Sequence, residues 1–150
     1  LHTNDAPSTI TRLQNMGTPD YLISAACQLV VAQRLARKNC KKCKIPDDDV
    51  NPKVLQDLGF SAEQASRVKA IKGKGCETCS NTGYKGRQGI YEILVVSKPL
   101  KEAILRKATT PELRQIAVKE GFQTMQDMGK RLIASGDLNF REYERVLSGE

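Results

Sequence analysis

Cys40-Lys41-Lys42-Cys43 and Cys76-Glu77-Thr78-Cys79 are the two stretches that decide how this chain folds. The two-residue spacer lets both sulfurs of a pair face one ion, and four thiolates from two such knuckles close a tetrahedron around Zn²⁺ at about 2.3 Å each. The segment between them, residues 44–75, is longer than the loop of a compact zinc ribbon and reads as an inserted element. A metal that closes so long a loop contributes folding free energy. Two disulfides or a thioredoxin-like redox pair are the competing readings. Disulfides need an oxidising compartment, and a Lys-rich chain beginning Leu1-His2-Thr3, without a basic and apolar leader, argues for the cytosol. A redox Cys-x-x-Cys opens a helix after a strand; here Cys40 is expected to follow a helix, and Cys76 follows Lys72-Gly73-Lys74-Gly75. Structural zinc on Cys40, Cys43, Cys76 and Cys79 is the favoured reading.

The neighbours of the thiols fit a metal. A zinc tetrathiolate carries two net negative charges, and Arg37, Lys38, Lys41, Lys42, Lys44 and Lys74 are close in sequence, where they would lower thiol pKa values. Gly83 and Gly86 allow tight turns that bring backbone amides toward sulfur. The fifth cysteine, Cys27, falls in an apolar stretch and is read as a buried, inert thiol.

Upstream, Ala6 to Gly17 has apolar residues at helical spacing and a glycine stop. Thr18-Pro19-Asp20 then opens what is expected to be one long helix from Pro19 to Lys38, running straight into the first knuckle. Between the knuckles, Asn51-Pro52 starts a short helix ending near Gly59, and Ser61-x-x-Gln64 is a capping box for another. Downstream, Arg87 to Val96 is rich in β-branched and aromatic residues and reads as a strand. Ser97, Thr110 with Gly121, Thr124 with Gly136, and Asn139 punctuate a helical remainder. Its apolar sets, Leu100/Ile104, Leu113/Ile116/Ala117, Met125/Met128/Leu132 and Phe140/Tyr143/Val146/Leu147, are expected to pack as a small bundle. The fold class that follows is α+β, mostly helical.

With 150 residues, 39% hydrophobic, 5% aromatic and 27% charged, the chain can build one aliphatic core or two small ones. No run of about 20 apolar residues exists to span a bilayer. The formal charge of +7 permits acidic partners without selecting one. His2 is the single histidine, in the polar stretch His2-Thr3-Asn4-Asp5 before a helix start. Such a start presents amides to phosphates, and Thr3, Asn4 and Asp5 offer oxygens for a nucleotide or a water. There is no G-x-x-x-x-G-K-[ST], no G-x-G-x-x-G and no His-x-x-x-His pair; Gly73-Lys74-Gly75 bends the chain into the second knuckle instead. A zinc-stapled nucleic-acid-binding module is the alternative, drawn from the basic run Arg34 to Lys44, although aromatic platforms for base stacking are scarce there. A chaperone-like zinc module, drawn from Cys79-Ser80-Asn81-Thr82-Gly83, lacks repeated cysteine motifs.

His2-Thr3-Asn4-Asp5-Ala6, Thr11-Arg12-Leu13, Met16-Gly17, Ala32-Gln33-Arg34-Leu35, both Cys-x-x-Cys pairs, Gly83-Tyr84-Lys85-Gly86-Arg87 and Gly89-Ile90-Tyr91-Glu92 together resemble the C-terminal portion of the secretion ATPases. That family includes the type IV pilus assembly ATPase and its type II secretion counterpart, and Gly89-Ile90-Tyr91-Glu92 with Gly121-Phe122 is more like the pilus member. The resemblance implies a RecA-like P-loop core ending over residues 1–39, a tetracysteine zinc subdomain over 40–88, and a strand with a C-terminal helical subdomain over 89–150. It further implies a homo-hexameric cytoplasmic motor, peripheral at the inner membrane, that uses ATP and Mg²⁺ to act on a membrane platform protein and other pilus or secretion components. No specific nucleic acid is expected. His2 falls on the family's His box, facing the nucleotide phosphates as a catalytic candidate, and the four cysteines fall on its structural zinc motif. The family's Walker A, Asp box and Walker B all precede the His box, so residues 1–150 alone are expected not to hydrolyse ATP.

Overall fold

The computed structural model of the chain describes residues 5–148. Contacts divide it into two units, one of Leu1–Gln33 with Tyr91–Met125 and one of Arg34–Ile90 with Gln126–Glu150. This grouping crosses the three consecutive segments read from the sequence, because strands and one helix run through both units. The architecture is mixed α/β, and no helix among the described residues is long and apolar enough to cross a membrane.

In the first unit, α1 (Ala6–Asn15) begins where the Asp5 carboxylate accepts the Ser8 N–H, with Pro7 in the first turn, and stops at Gly17 with φ +91°. Next comes α2 (Asp20–Ala26). Later in the sequence, Ser97 caps α5 (Lys98–Leu105), and Thr109 caps α6 (Thr110–Lys119), one residue earlier than the sequence pattern indicates. Helices α1 and α2 contact each other, α2 packs on α5, and α6 on both α1 and α5. Ile10, Ile23, Leu100, Ile104 and Leu113 fill this core.

The predicted Pro19–Lys38 helix is corrected: it ends at Ala26, and β1 (Leu29–Asn39) replaces its second half. Burial along β1 falls on Val30, Ala32 and Ala36, every second or fourth residue, as a strand requires. Leu29, Val31 and Leu35 point the other way and are about half exposed, so both faces are apolar and the period of two is masked in the sequence. Cys27 is therefore corrected too: it is the C-terminal cap of α2, half-buried, not a residue inside a helix.

β4 (Tyr84–Val95) holds the predicted strand up to Val95 and extends it toward the second knuckle. It pairs with β1 in a two-stranded sheet. The Val96 N–H donates to Gln28 O and the Cys40 N–H to Gly83 O, so the ladder is antiparallel.

The second unit contains the inserted segment. β2 (Lys44–Pro46) and β3 (Ile71–Gly73) form an antiparallel ribbon with Lys44 opposite Gly73 and Pro46 opposite Ile71. Between them lie α3 (Pro52–Asp57), capped by Asn51, and α4 (Ala62–Arg67), where both bonds of the Ser61/Gln64 capping box are present. Here too are most of α7 (Met125–Ser135), then α8 (Phe140–Tyr143) capped by Asn139 and continued by a π-helical turn, Glu144–Ser148. The downstream apolar sets, expected to pack as one small bundle, are divided by contacts: α5 and α6 belong to the first unit, and α8 with all of α7 after Met125 to the second. Each helix is legible from its own caps, but which apolar face meets which depends on the strands between them. Gly129 shows how close that packing is, since an added Cβ would lie 2.6 Å from Leu147 and 2.7 Å from Tyr143.

Candidate metal centre

Three backbone devices bring the cysteines together. β1 ends at Asn39, so Cys40 leaves the sheet with its N–H bonded to Gly83 O at 2.9 Å. The β2–β3 ribbon sets Cys43 beside the second knuckle, with the Lys74 N–H donating to Cys43 O at 2.9 Å. Around the second pair, Ser80 and Asn81 adopt positive φ, and Gly75 and Gly83 have φ of +107° and +81°. Gly73 and Gly83 meet back to back: a Cβ on Gly73 would lie 2.0 Å from the Gly83 carbonyl oxygen. Only glycine fits such an approach.

The four sulfurs lie within 4.8 Å of one another and could hold one metal ion. Cys40 and Cys76 are separated by 3.8 Å, Cys43 and Cys79 by 3.8 Å, and Cys76 and Cys79 by 3.7 Å. A tetrahedron with metal–sulfur bonds of about 2.3 Å has edges of about 3.8 Å, so these separations are those of a four-coordinate thiolate site. All four cysteines are free, and the separations are far beyond the disulfide bond length of about 2.05 Å. Four thiolates leave no open position for a substrate, which makes such an ion structural.

Backbone amides bear directly on the sulfurs of Cys43 and Cys79. The Gly75 N–H donates to Cys43 Sγ, and the Cys76 and Gly83 N–H groups donate to Cys79 Sγ, each at 3.2 Å. At Cys79 burial opposes ionisation, but those two amides, with the thiols of Cys76 and Cys43, bring the pKa down to about 6. At Cys43 the Gly75 amide favours the thiolate, yet burial and the thiols of Cys40, Cys76 and Cys79 outweigh it and push the pKa up to about 11. Gly83 brings its amide to sulfur as the sequence indicates, whereas Gly86 lies within β4.

The basic residues do something else. Arg37 donates from its guanidinium to Glu142 at 3.0 Å and stacks over the Tyr84 ring at 4.1 Å. Arg34 donates to Val146 O at 2.8 Å, and Lys44 pairs with Asp137 at 3.6 Å. The expectation that Arg37 and Lys44 serve the thiols is therefore corrected, and the same pairings draw three charges of the basic run into the fold. The argument against a redox pair also changes. Cys40 does follow a strand, but a turn and then β2 come after it, so the helix that a redox Cys-x-x-Cys opens is absent.

His2 lies outside the described residues. The stretch it precedes is well fixed: Asp5 pairs with Arg114, and Thr11 and Thr110 share a hydroxyl hydrogen bond at 2.5 Å. Burial opposes ionisation of Asp5, but the Ser8 hydroxyl and amide and the Arg114 guanidinium hold its carboxyl below the ordinary range.

Two buried carboxylates escape sequence reading. Glu92 is 2% exposed and Glu142 is fully buried. Glu92 could have been found from its phase, since it alternates with Ile90 and Leu94 on the buried face of β4. Glu142 leaves no comparable signal, because its arginines come from a distant strand and from the following turn.

With the fold and the thiol cluster in place, the class is clear: residues 1–145 match the family described as type II/IV secretion system protein, and the chain belongs to it. It is 37% identical to the type IV pilus assembly ATPase PilB of Myxococcus xanthus, covering 95% of this chain and 25% of that protein. To PilB of Thermus thermophilus it is 42% identical, covering 86% of this chain and 14% of that protein. To the type II secretion system protein HxcR of Pseudomonas aeruginosa it is 34% identical, covering 97% and 27% respectively. The chain therefore spans about a quarter or less of these relatives.

Proposed function

We propose that residues 1–150 are the C-terminal part of a hexameric cytoplasmic motor ATPase, peripheral at the inner membrane, that powers type IV pilus assembly or type II secretion. The observation that carries this is the match over residues 1–145 together with relatives of both kinds, several of them pilus assembly ATPases. In this reading Cys40, Cys43, Cys76 and Cys79 hold a structural Zn²⁺. The sulfur separations, the all-thiolate donor set and the three N–H···S bonds support that choice. The ion supplies rigidity: it ties the end of β1 to the β2–β3 ribbon and the start of β4.

His2 acts in this reading at the phosphates of an ATP whose Mg²⁺ and Walker loops belong to the preceding part of the motor. There an imidazole polarises or senses the γ-phosphate. Force generated around the ring is passed to a membrane platform protein.

The test compares the full-length protein with residues 1–150 alone. The full-length protein should form hexamers by light scattering and hydrolyse ATP, and the isolated chain should not turn over ATP. Turnover by the isolated chain after rigorous removal of contaminating ATPases, or a full-length protein without ATPase activity, overturns the proposal.

A further inference from the structure

Opposite its packed face, the sheet of β1 and β4 turns a row of large apolar side chains outward. Leu29 and Val31 of β1 are 53% and 51% exposed, and Ile93 and Val95 of β4 are 53% and 63%, with Tyr91 beside them at 42%. The Val96 N–H bonds to Gln28 O, so the start of β1 lies alongside the end of β4 and the five residues gather on one side of the sheet. All five belong to the first unit. At the edge of the row, Ile93 and Val95 border a small hollow of about 130 Å³ whose other walls include Ala117, Gly121 and Phe122.

An antiparallel sheet with one face in water carries polar residues there, and two strands alone are marginally stable. This sheet departs from both rules: among the described residues no third strand joins β1 and β4, and its outer row is aliphatic and aromatic. A sheet that is apolar on both faces needs a layer on each. Val30, Ala32 and Leu94 on the inner face are buried within the chain, whereas the outer row stays about half exposed. The size of the row decides between occupants. Five such side chains offer on the order of 500 Å², short of the about 800 Å² that each partner of a stable complex buries. A second copy held by this row alone falls short of that. A segment of the same polypeptide is kept at a millimolar effective concentration by its tether and needs less area. This chain spans about a quarter or less of its relatives, so a longer protein has such a segment to give. The chain also enters α1 against this sheet, where Glu92 of β4 accepts the Ala6 N–H, so a preceding segment is tethered close by.

We infer that Leu29, Val31, Tyr91, Ile93 and Val95 form an internal docking surface, covered in the full-length protein by an apolar segment of the polypeptide that precedes residue 1. The inference rests on the reading of this chain as the C-terminal part of a longer protein. No charged group stands in the row, so the covering segment meets it with uncharged side chains. The hollow beside Phe122 takes one aliphatic or aromatic side chain of that segment.

Hydroxyl-radical labelling of the native, full-length wild-type protein, read by mass spectrometry, tests the covering without any variant. Ile90 is fully buried and serves as the scale for Ile93, which has the same side chain and hence the same intrinsic reactivity. Covered as the core of an interface is, Ile93 should be labelled within about twofold of Ile90. A photoreactive benzoylphenylalanine in place of Val95, the most exposed of the row, then identifies the occupant. The expected product keeps the mass of one chain under denaturing conditions and carries a link from residue 95 to sequence before residue 1. Labelling of Ile93 several-fold faster than Ile90, a product of twice the chain mass, or no link to the preceding sequence overturns the docking surface. ATP turnover by the same preparation keeps the two readings apart: its absence overturns the motor reading, while labelling and linking still decide whether the row is covered.

Discussion

Removing the charge of Glu142 should cost the second unit about 3 kcal/mol at neutral pH. The side chain has no exposure, and its oxygens accept the Arg37 backbone N–H at 2.6 Å and the Arg37 and Arg145 guanidinium groups at 3.0 Å and 2.7 Å. Burial by itself raises the pKa of such a carboxyl. Here the hydrogen bonds from Arg145 and Arg37 outweigh burial and bring it from 4.5 down to about 2. At about 1.4 kcal/mol per pH unit, the shift corresponds to about 3 kcal/mol of stability. Because the folded pKa lies below the unfolded one, that contribution is complete above the unfolded value and is lost as pH falls through the folded one. Urea denaturation of wild type and Glu142→Gln, each at pH 7 and pH 3, isolates the term, since metal release on acidification affects both chains alike. The stability difference should be about 3 kcal/mol at pH 7 and about half that at pH 3. A difference below about 1 kcal/mol at pH 7, the range of an exposed ion pair, or one that does not change with pH, refutes the reasoning.

Chelating the metal, or replacing Cys40 or Cys76 by Ser, should raise amide exchange first at β2, β3 and Gly83 while α1, α5 and α6 keep their protection, because those helices have their own buried core. Equal loss in both units would contradict that separation. Gly73→Ala should prevent metal uptake, since its Cβ would overlap the Gly83 carbonyl, whereas Gly121→Ala, with φ +94° and nothing within 4 Å of the added carbon, should cost only about 1–2 kcal/mol of backbone strain. Metal content and urea midpoints of the two variants decide; a metal-loaded Gly73→Ala at wild-type stability would contradict the back-to-back glycine contact.

Local signals were the legible ones. Asn51, Ser61, Ser97 and Asn139 each cap the helix that their sequence position indicates, and Gly17, Gly59, Gly121 and Gly136 all have positive φ at or just past helix ends. The thiol cluster was legible because two short spacers constrain four donors strongly. β1 was not legible, since Leu29, Val31 and Leu35 on its outer face erase the alternation, and Arg34, Arg37 and Lys38 imitate the basic end of a helix. The pairings of the buried acids were hidden for a different reason, although the phase of Glu92 along β4 marks it as buried. Their partners are amides and arginines supplied by distant segments, and nothing in a single sequence pairs Glu92 with Ala6 or Glu142 with Arg37.

Metal content with zinc K-edge X-ray absorption on the purified protein tests the thiol cluster most directly. One zinc per chain, surrounded by four sulfurs at about 2.3 Å, is the expected result. A metal-free protein that stays fully folded, or a shell containing nitrogen or oxygen in place of sulfur, would contradict a structural ion on Cys40, Cys43, Cys76 and Cys79.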